Sequence, residues 1–370
     1  MPWLIYEEDD TMFPEEEKNE RSPDREDGRR LRAPRKRHLF AALLSTVLLL
    51  FGSATLGAAS SAPVAATPQS PAAQGETLAG FHQGSVPVNG GTLHYVRGGS
   101  GPVLVLLHGW PETWWSFHDV MPALAEHYTV VAFDLPGLGQ SSVPKSGYDA
   151  EDTASRIRQG VHDLGYDKVD LVGFDMGVLV AYDYARDHPS EVTKLAVLES
   201  ALNGFGLENA YSLSFHFRLN MAPAPVPENI VNNREAEQAY LGYIISSFSY
   251  GNGAIADENA YFRAYANPAN REAGYDYYRA WPQNAANNLA NAGKRLEMPV
   301  LAMGGQYAFG AGVAASFDQV ADHVQQVIAP DSGHFIPEEV PGFLTSCFEL
   351  YFGGAPSGAV PADLASCVSP

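Results

Sequence analysis

Short apolar runs alternate with longer stretches of helical spacing between Val86 and about Phe352. The runs Leu93–Arg97, Val103–Leu107, Thr129–Asp134, Val169–Gly173, Thr193–Leu198, Pro299–Met303 and Val324–Ile328 read as strands. Most are continuously apolar and not alternating, the pattern of strands covered on both faces of a parallel sheet. Ala150–Leu164 and Met176–Asp187 have helical spacing and separate the strands. This succession predicts an α/β fold with a mostly parallel, doubly wound sheet. Between Leu202 and Asn291 the pattern breaks into an aromatic, Asn-rich stretch of helical periodicity without a convincing strand. That stretch predicts a helical lid (201–291) inserted between two parts of the core, 81–200 and 292–352. The segment 353–370, rich in Ser, Pro and Gly, is expected to be a solvated tail.

The first part of the chain follows a different rule. Residues 1–38 hold 9 Lys+Arg and 11 Asp+Glu, acidic up to Asp27 and basic from Arg29 to Arg37. No charged residue follows until Glu76, and Leu39–Leu56 is apolar at almost every position. A basic flank, an apolar run and a small-residue exit are the three parts of an export signal. We therefore expect 39–59 to be a signal peptide or an anchor, 60–80 a linker, and the mature chain exported, with any membrane contact made by that segment alone. Composition adds little: 45% hydrophobic and 18% charged residues are ordinary for a globular protein. The net charge of −20 argues against a nucleic-acid partner, because it offers no excess of cations to neutralise phosphates. Two cysteines, Cys347 and Cys367, are too few for a disulfide scaffold or a Cys-rich metal site, and in an exported chain the pair is expected to bridge.

Three motifs carry chemistry. Gly173-Phe174-Asp175-Met176-Gly177 follows a strand and opens a helix, the setting of a nucleophile elbow whose glycines permit a strained turn. Its centre is Asp and not Ser. A carboxylate is already ionised at neutral pH and can attack an alkyl carbon directly, giving an ester on the protein. His108-Gly109-Trp110-Pro111 follows the strand Val103–Leu107, where it can supply an oxyanion-binding N–H, so Trp110 and Met176 become candidate backbone donors. Pro111 is a candidate for a cis bond. Asp331-Ser332-Gly333-His334-Phe335 follows the last strand, and its chain order makes His334 the candidate base.

HGWPETWW, DLPGLGQS at Asp134–Ser141, GFDMG and SGHFIPEE together resemble the epoxide hydrolases of the α/β-hydrolase fold, over Phe81 to Phe352. The likeness is strongest to the secreted bacterial Cif-like subgroup. The common family pattern has an Asp in the loop after the penultimate strand, but Gly304–Gly310 contains no carboxylate. Glu199, at the end of Thr193–Leu198, stands where the subgroup has its acid, and the resemblance implies that it orients His334. The resemblance also implies two lid donors for the epoxide oxygen. Tyr278, directly before Arg279, matches one and is chosen over Tyr277; His216 in Ser214-Phe215-His216-Phe217 matches the other. Aromatic residues crowd this lid, so core packing is the competing reading of both.

The implied reaction is hydrolysis of an epoxide to a vicinal diol, with a small-molecule epoxide and water as partners and no metal or organic cofactor. Relatives in the subgroup can oligomerise, so a homodimer is among the expected partners. A haloalkane or fluoroacetate dehalogenase shares the Asp nucleophile, but it needs halide donors or carboxylate-binding arginines where this chain has Met176 and Leu179. A catalytically silent binding protein of the same fold is the third reading, and it would be expected to lack one of Asp175, His334 and the acid.

Overall fold

The computed structural model describes residues 76–251, 255, 257–353 and 358–369. The charged extension (1–38), the apolar export or anchor run (39–59) and most of the linker (60–80) lie outside the described residues.

Eight strands form one sheet: β1 His82–Val88, β2 Gly91–Gly99, β3 Val103–Leu107, β4 Thr129–Phe133, β5 Val169–Phe174, β6 Val192–Leu198, β7 Val300–Gly305 and β8 Val324–Ala329. Their order is β1-β2-β4-β3-β5-β6-β7-β8. The first two strands run antiparallel to their neighbours, and every pair from β4 onward is parallel. The apolar runs have the burial that their composition requires. β5 and β7 are buried at every position, and β3, β4 and β6 are buried through their C-terminal halves. Strand β1 is the element the hydrophobic pattern does not reveal. Its HQGSVPV contains Gly84 and Pro87 and is largely exposed, as suits an edge strand that needs only one hydrogen-bonded neighbour.

The connecting helices start where the chain can satisfy their first N–H groups. Asp149 caps Ala150–Asp163 by accepting from the Asp152 N–H at 3.0 Å, and Glu151 and Asp152 add negative charge to the positive end of the helix dipole. Among the described residues between β6 and β7 the regular elements are helices, including Phe215–Asn220, Arg234–Phe248, Glu258–Ala264, Pro268–Arg279 and Trp281–Ala290.

The C-terminal segment corrects one expectation. It is not simply a solvated tail: the short helix Ala362–Cys367 packs on the helix Pro341–Gly353 and on β8, and Leu364 is partly buried against the core. Cys347 and Cys367 are both fully buried and joined as a disulfide that spans 20 residues. Closing a loop of that length constrains the unfolded chain by about 3 kcal/mol. One covalent bond thus offsets the small apolar area that a Ser/Pro/Gly-rich segment can bury.

Candidate active site

Strand β5 runs into the helix Met176–Asp187 through Asp175 alone, whose backbone is held at φ 51° and ψ −119°. A side-chain-bearing residue is strained there, and packing must impose it. The flanking glycines are what allow the turn. A Cβ on Gly173 would lie 2.5 Å from the Gly177 carbonyl oxygen, and one on Gly177 would lie 2.2 Å from that of Leu107. Gly109 is as constrained, because a Cβ there would meet Asp175 Oδ1 at 2.3 Å.

The oxyanion-side loop is positioned by the DLPGLGQS segment. Asp134, fully buried, accepts from the Trp114 N–H and the Gln140 N–H at 2.9 Å each and bonds His94 Nδ1 at 2.9 Å. His108 Nε2 accepts from the Leu135 N–H at 3.1 Å, which places its single proton on Nδ1 toward the Gly109 carbonyl. Burial keeps this imidazole neutral, against the pull of Asp134. The loop then bends through a cis Trp110–Pro111 bond and delivers the Trp110 N–H to Asp175 Oδ1 at 2.8 Å. Met176 contributes an N–H from the first turn of its helix, where no intrahelical acceptor exists.

His334 lies on the other side of Asp175. Its Nε2 is 3.5 Å from Asp175 Oδ2, and its Nδ1 is 3.0 Å from Glu199 Oε2. Glu199 also sits at positive φ (59°) and is fully buried at the end of β6. Its other oxygen accepts from the Gly305 N–H at 2.5 Å and the Phe309 N–H at 3.3 Å. The loop 304–310, which carries no carboxylate of its own, therefore serves the acid by holding a carboxylate from the neighbouring strand. Burial alone would strip the proton from His334, but its hydrogen bonds and ion pairs with Asp175 and Glu199 outweigh burial and lift the imidazole to about 10. Burial also pushes the Glu199 carboxyl up, against His334 and the two N–H groups. With three donors on its two oxygens, Glu199 is the better seat for the negative charge and His334 for the proton.

Two lid residues face this pair. The Tyr278 ring stands edge-on to Trp110 (5.6 Å between centroids) and to His216 (6.0 Å). Burial and the nearby Asp175 charge hold its phenol protonated. Tyr277 points elsewhere and donates to the Pro136 carbonyl at 3.0 Å. His216 is buried, and desolvation drives its pKa down to about 3; the Asp175 charge opposes this and that of His334 adds to it. It is therefore a neutral imidazole with one N–H to give. Trp110, Tyr240, Tyr265 and Tyr275 form an aromatic wall around them.

A family described as alpha/beta hydrolase fold matches residues 102–341. The soluble epoxide hydrolase of Corynebacterium sp. (strain C12) is 34% identical over 279 residues, which covers 72% of this chain and 95% of the relative. The chain belongs to the α/β-hydrolase family, in its epoxide hydrolase branch. This α/β-hydrolase is also 29% identical to a fluoroacetate dehalogenase of Burkholderia sp, over 75% of its own length and 96% of the relative. Among solved structures, Cfl2 of Burkholderia cenocepacia superposes with a TM-score of 0.69 at 31% identity, covering 73% of this chain and 95% of that one.

Several residues that organise the site are not visible in the motifs. The Phe248 carbonyl of the lid accepts from the His334 N–H at 2.8 Å. Glu112, which directly follows the cis proline, is fully buried and faces Glu338 of the turn after His334, with Tyr261 of the lid beside them. None of these carboxylate oxygens has a protein donor. Burial pushes both carboxyls up; Glu338 raises Glu112 further, while Glu112 and Tyr261 hold Glu338 back, to about 8, so the pair retains a proton that supplies the missing donor. The HGWPE and FIPEE segments contained both residues, but no spacing rule shows that two motifs far apart in the chain meet.

Two expectations follow. Replacing Asp175 with Asn removes one of the two charges on His334, whose ring should then titrate about 1–3 pH units lower in an NMR titration. For the acid pair, the fold binds more protons than the unfolded chain between the ordinary value of 4.5 and about 8, so its contribution to stability falls as pH rises through that window. Glu112→Gln removes one of the two titrating carboxyls and leaves Glu338, so from pH 5 to pH 8 its melting temperature should fall less than that of the wild type, by about 3 °C.

Proposed function

We propose that the protein opens a neutral epoxide to a vicinal diol through an ester on Asp175. The observation that carries this reading is the set of groups facing one another: a carboxylate at the elbow tip, a base 3.5 Å behind it, and two neutral lid donors in front. An epoxide carbon attacked by Asp175 releases an alkoxide, and Tyr278 and His216 hydrogen-bond that oxygen as charge builds on it. The resting site holds a carboxylate and an imidazolium. Ester formation removes the Asp175 charge, the proton from His334 neutralises the alkoxide, and the imidazole is left neutral and able to act as a base. His334, held by Glu199, then takes a proton from water; the hydroxide adds to the ester carbonyl, and the oxyanion is met by the N–H groups of Trp110 and Met176. Collapse releases the diol and restores the carboxylate and imidazolium, so charge and protons balance over the cycle.

The acid at the end of β6 and the His–Tyr donor pair support placement in the Cif-like subgroup. Export is supported by the basic flank and apolar run of residues 29–56, and by the Cys347–Cys367 disulfide, which persists in an oxidising compartment.

Asp175→Ala should lower turnover of a simple epoxide such as styrene oxide by at least about 10⁴-fold with the fold retained. His334→Ala should accumulate an ester, read as a mass increase on the peptide that contains Asp175. A single wild-type turnover in heavy-oxygen water should place the label in the protein. Label found only in the diol would remove the covalent route.

A further inference from the structure

His216 is neutral, so only one of its ring nitrogens has a hydrogen, and only one tautomer can donate to an epoxide oxygen. Its Nδ1 lies 2.8 Å from Ser214 Oγ, which leaves Nε2 as the nitrogen available to the reacting centre. The ring is walled by Phe248 at 5.1 Å and Tyr278 at 6.0 Å, and Phe248 lies 6.1 Å from the ring of His334. If Nδ1 carried the hydrogen, the bare lone pair of Nε2 would face the alkoxide and repel it.

Ser214 decides between the two. It is the N-cap residue of the helix Phe215–Asn220, a position where a serine oxygen ordinarily accepts from an N–H of the first turn. Here it makes no such bond, and its only partner among the described residues is the imidazole two positions on. Ser214 is buried at 8% exposure. Were Nδ1–H to donate to the oxygen, the serine hydrogen would be left without an acceptor among the described residues, which is costly for a buried donor. With the hydroxyl donating to Nδ1, both atoms are satisfied and the imidazole hydrogen sits on Nε2. We propose that Ser214 is a positioning residue that fixes His216 in the Nε2–H tautomer and so makes it a donor to the epoxide oxygen. The serine has given up capping its helix to do this.

This inference rests on the epoxide-opening reading, and the two can fail separately. The first measurement needs no substrate: nitrogen-15 NMR of the full chain, with the His216 signals assigned by their loss in His216→Asn, should show a protonated Nε2 and a bare Nδ1 that accepts a hydrogen bond. A protonated Nδ1 would overturn the proposal whatever the enzyme does with epoxides. The second measurement is the rate of ester formation from styrene oxide under single-turnover conditions. Ser214→Ala should slow that step about tenfold and leave the rate of ester hydrolysis unchanged, while Ser214→Thr, which keeps the hydroxyl, should restore it. Equal loss in both variants would mean that packing and not the hydroxyl matters, and no loss in Ser214→Ala would equally refute the role. Absence of any epoxide turnover by the wild type, with the Nε2–H tautomer present, would count against the activity and not against the tautomer.

Discussion

The structure is organised around one buried proton held between two carboxylates. His334 lies 3.5 Å from Asp175 and 3.0 Å from Glu199, in a place where burial alone would leave it neutral. Both carboxylates sit at positive φ at the ends of adjacent parallel strands, so backbone strain is spent on bringing two negative charges to one imidazole. The parallel sheet makes this possible: strands β5, β6 and β7 all point their C-terminal ends at the same crevice. The same electrostatics gives the cycle its order. In the proposed cycle the imidazole is a poor base while Asp175 is charged, and conversion of that carboxylate to an ester releases it. A base that is weak until the intermediate exists will not waste water on an empty site.

Neutrality of the remaining groups follows from this arrangement. The donors facing Asp175 are a phenol, an imidazole held uncharged by desolvation, and a backbone N–H, and the surrounding wall is aromatic. Positions next to the nucleophile that could hold a substrate carboxylate are the buried apolar residues Met176 and Leu179. Among the described residues, the cation paired with Asp175 is the His334 imidazolium, which is already committed to two carboxylates. These surroundings support the proposed uncharged epoxide over a charged substrate.

Most of the α/β-hydrolase architecture was legible in the sequence because the deciding signal is local. Continuous apolar runs announced the buried strands, and glycines around Asp175 announced a turn that other residues would block. The edge strand β1 was illegible because an edge exposed to water needs no apolar pattern. The tail was misread for a related reason: its stability comes from one long-range covalent bond, and composition describes only its solvated surface. At the site, residues on motifs could be named, but the groups that hold them could not. The N–H groups of Gly305 and Phe309 contribute backbone and not side chains, so the loop looked empty where it was in fact clamping Glu199. The meeting of Glu112 with Glu338 depends on the fold bringing separate loops together, which no single segment encodes.

That meeting also changes how the lid should be understood. The Phe248 carbonyl holds the His334 N–H, and a Cβ on Gly333 would lie 2.4 Å from that carbonyl and 2.7 Å from the Tyr250 nitrogen. The Tyr250 N–H also donates to Glu339, and the Tyr250 ring stacks on Tyr307 of the loop that clamps Glu199, at 4.2 Å and 5°. Tyr265 donates to the Glu112 carbonyl at 2.8 Å. The lid therefore contacts the loops of His334, Glu112 and Tyr307, through one main-chain bond to His334 and through the side chains of Tyr250 and Tyr265. It does more than cover a finished site. Removing it would take away His216 and Tyr278, and it would also free the backbone of His334 and the Tyr307 side of the loop that holds Glu199. The lid and the triad share these bonds, and the buried acid pair of Glu112 and Glu338, with Tyr261 of the lid beside it, lies where they meet.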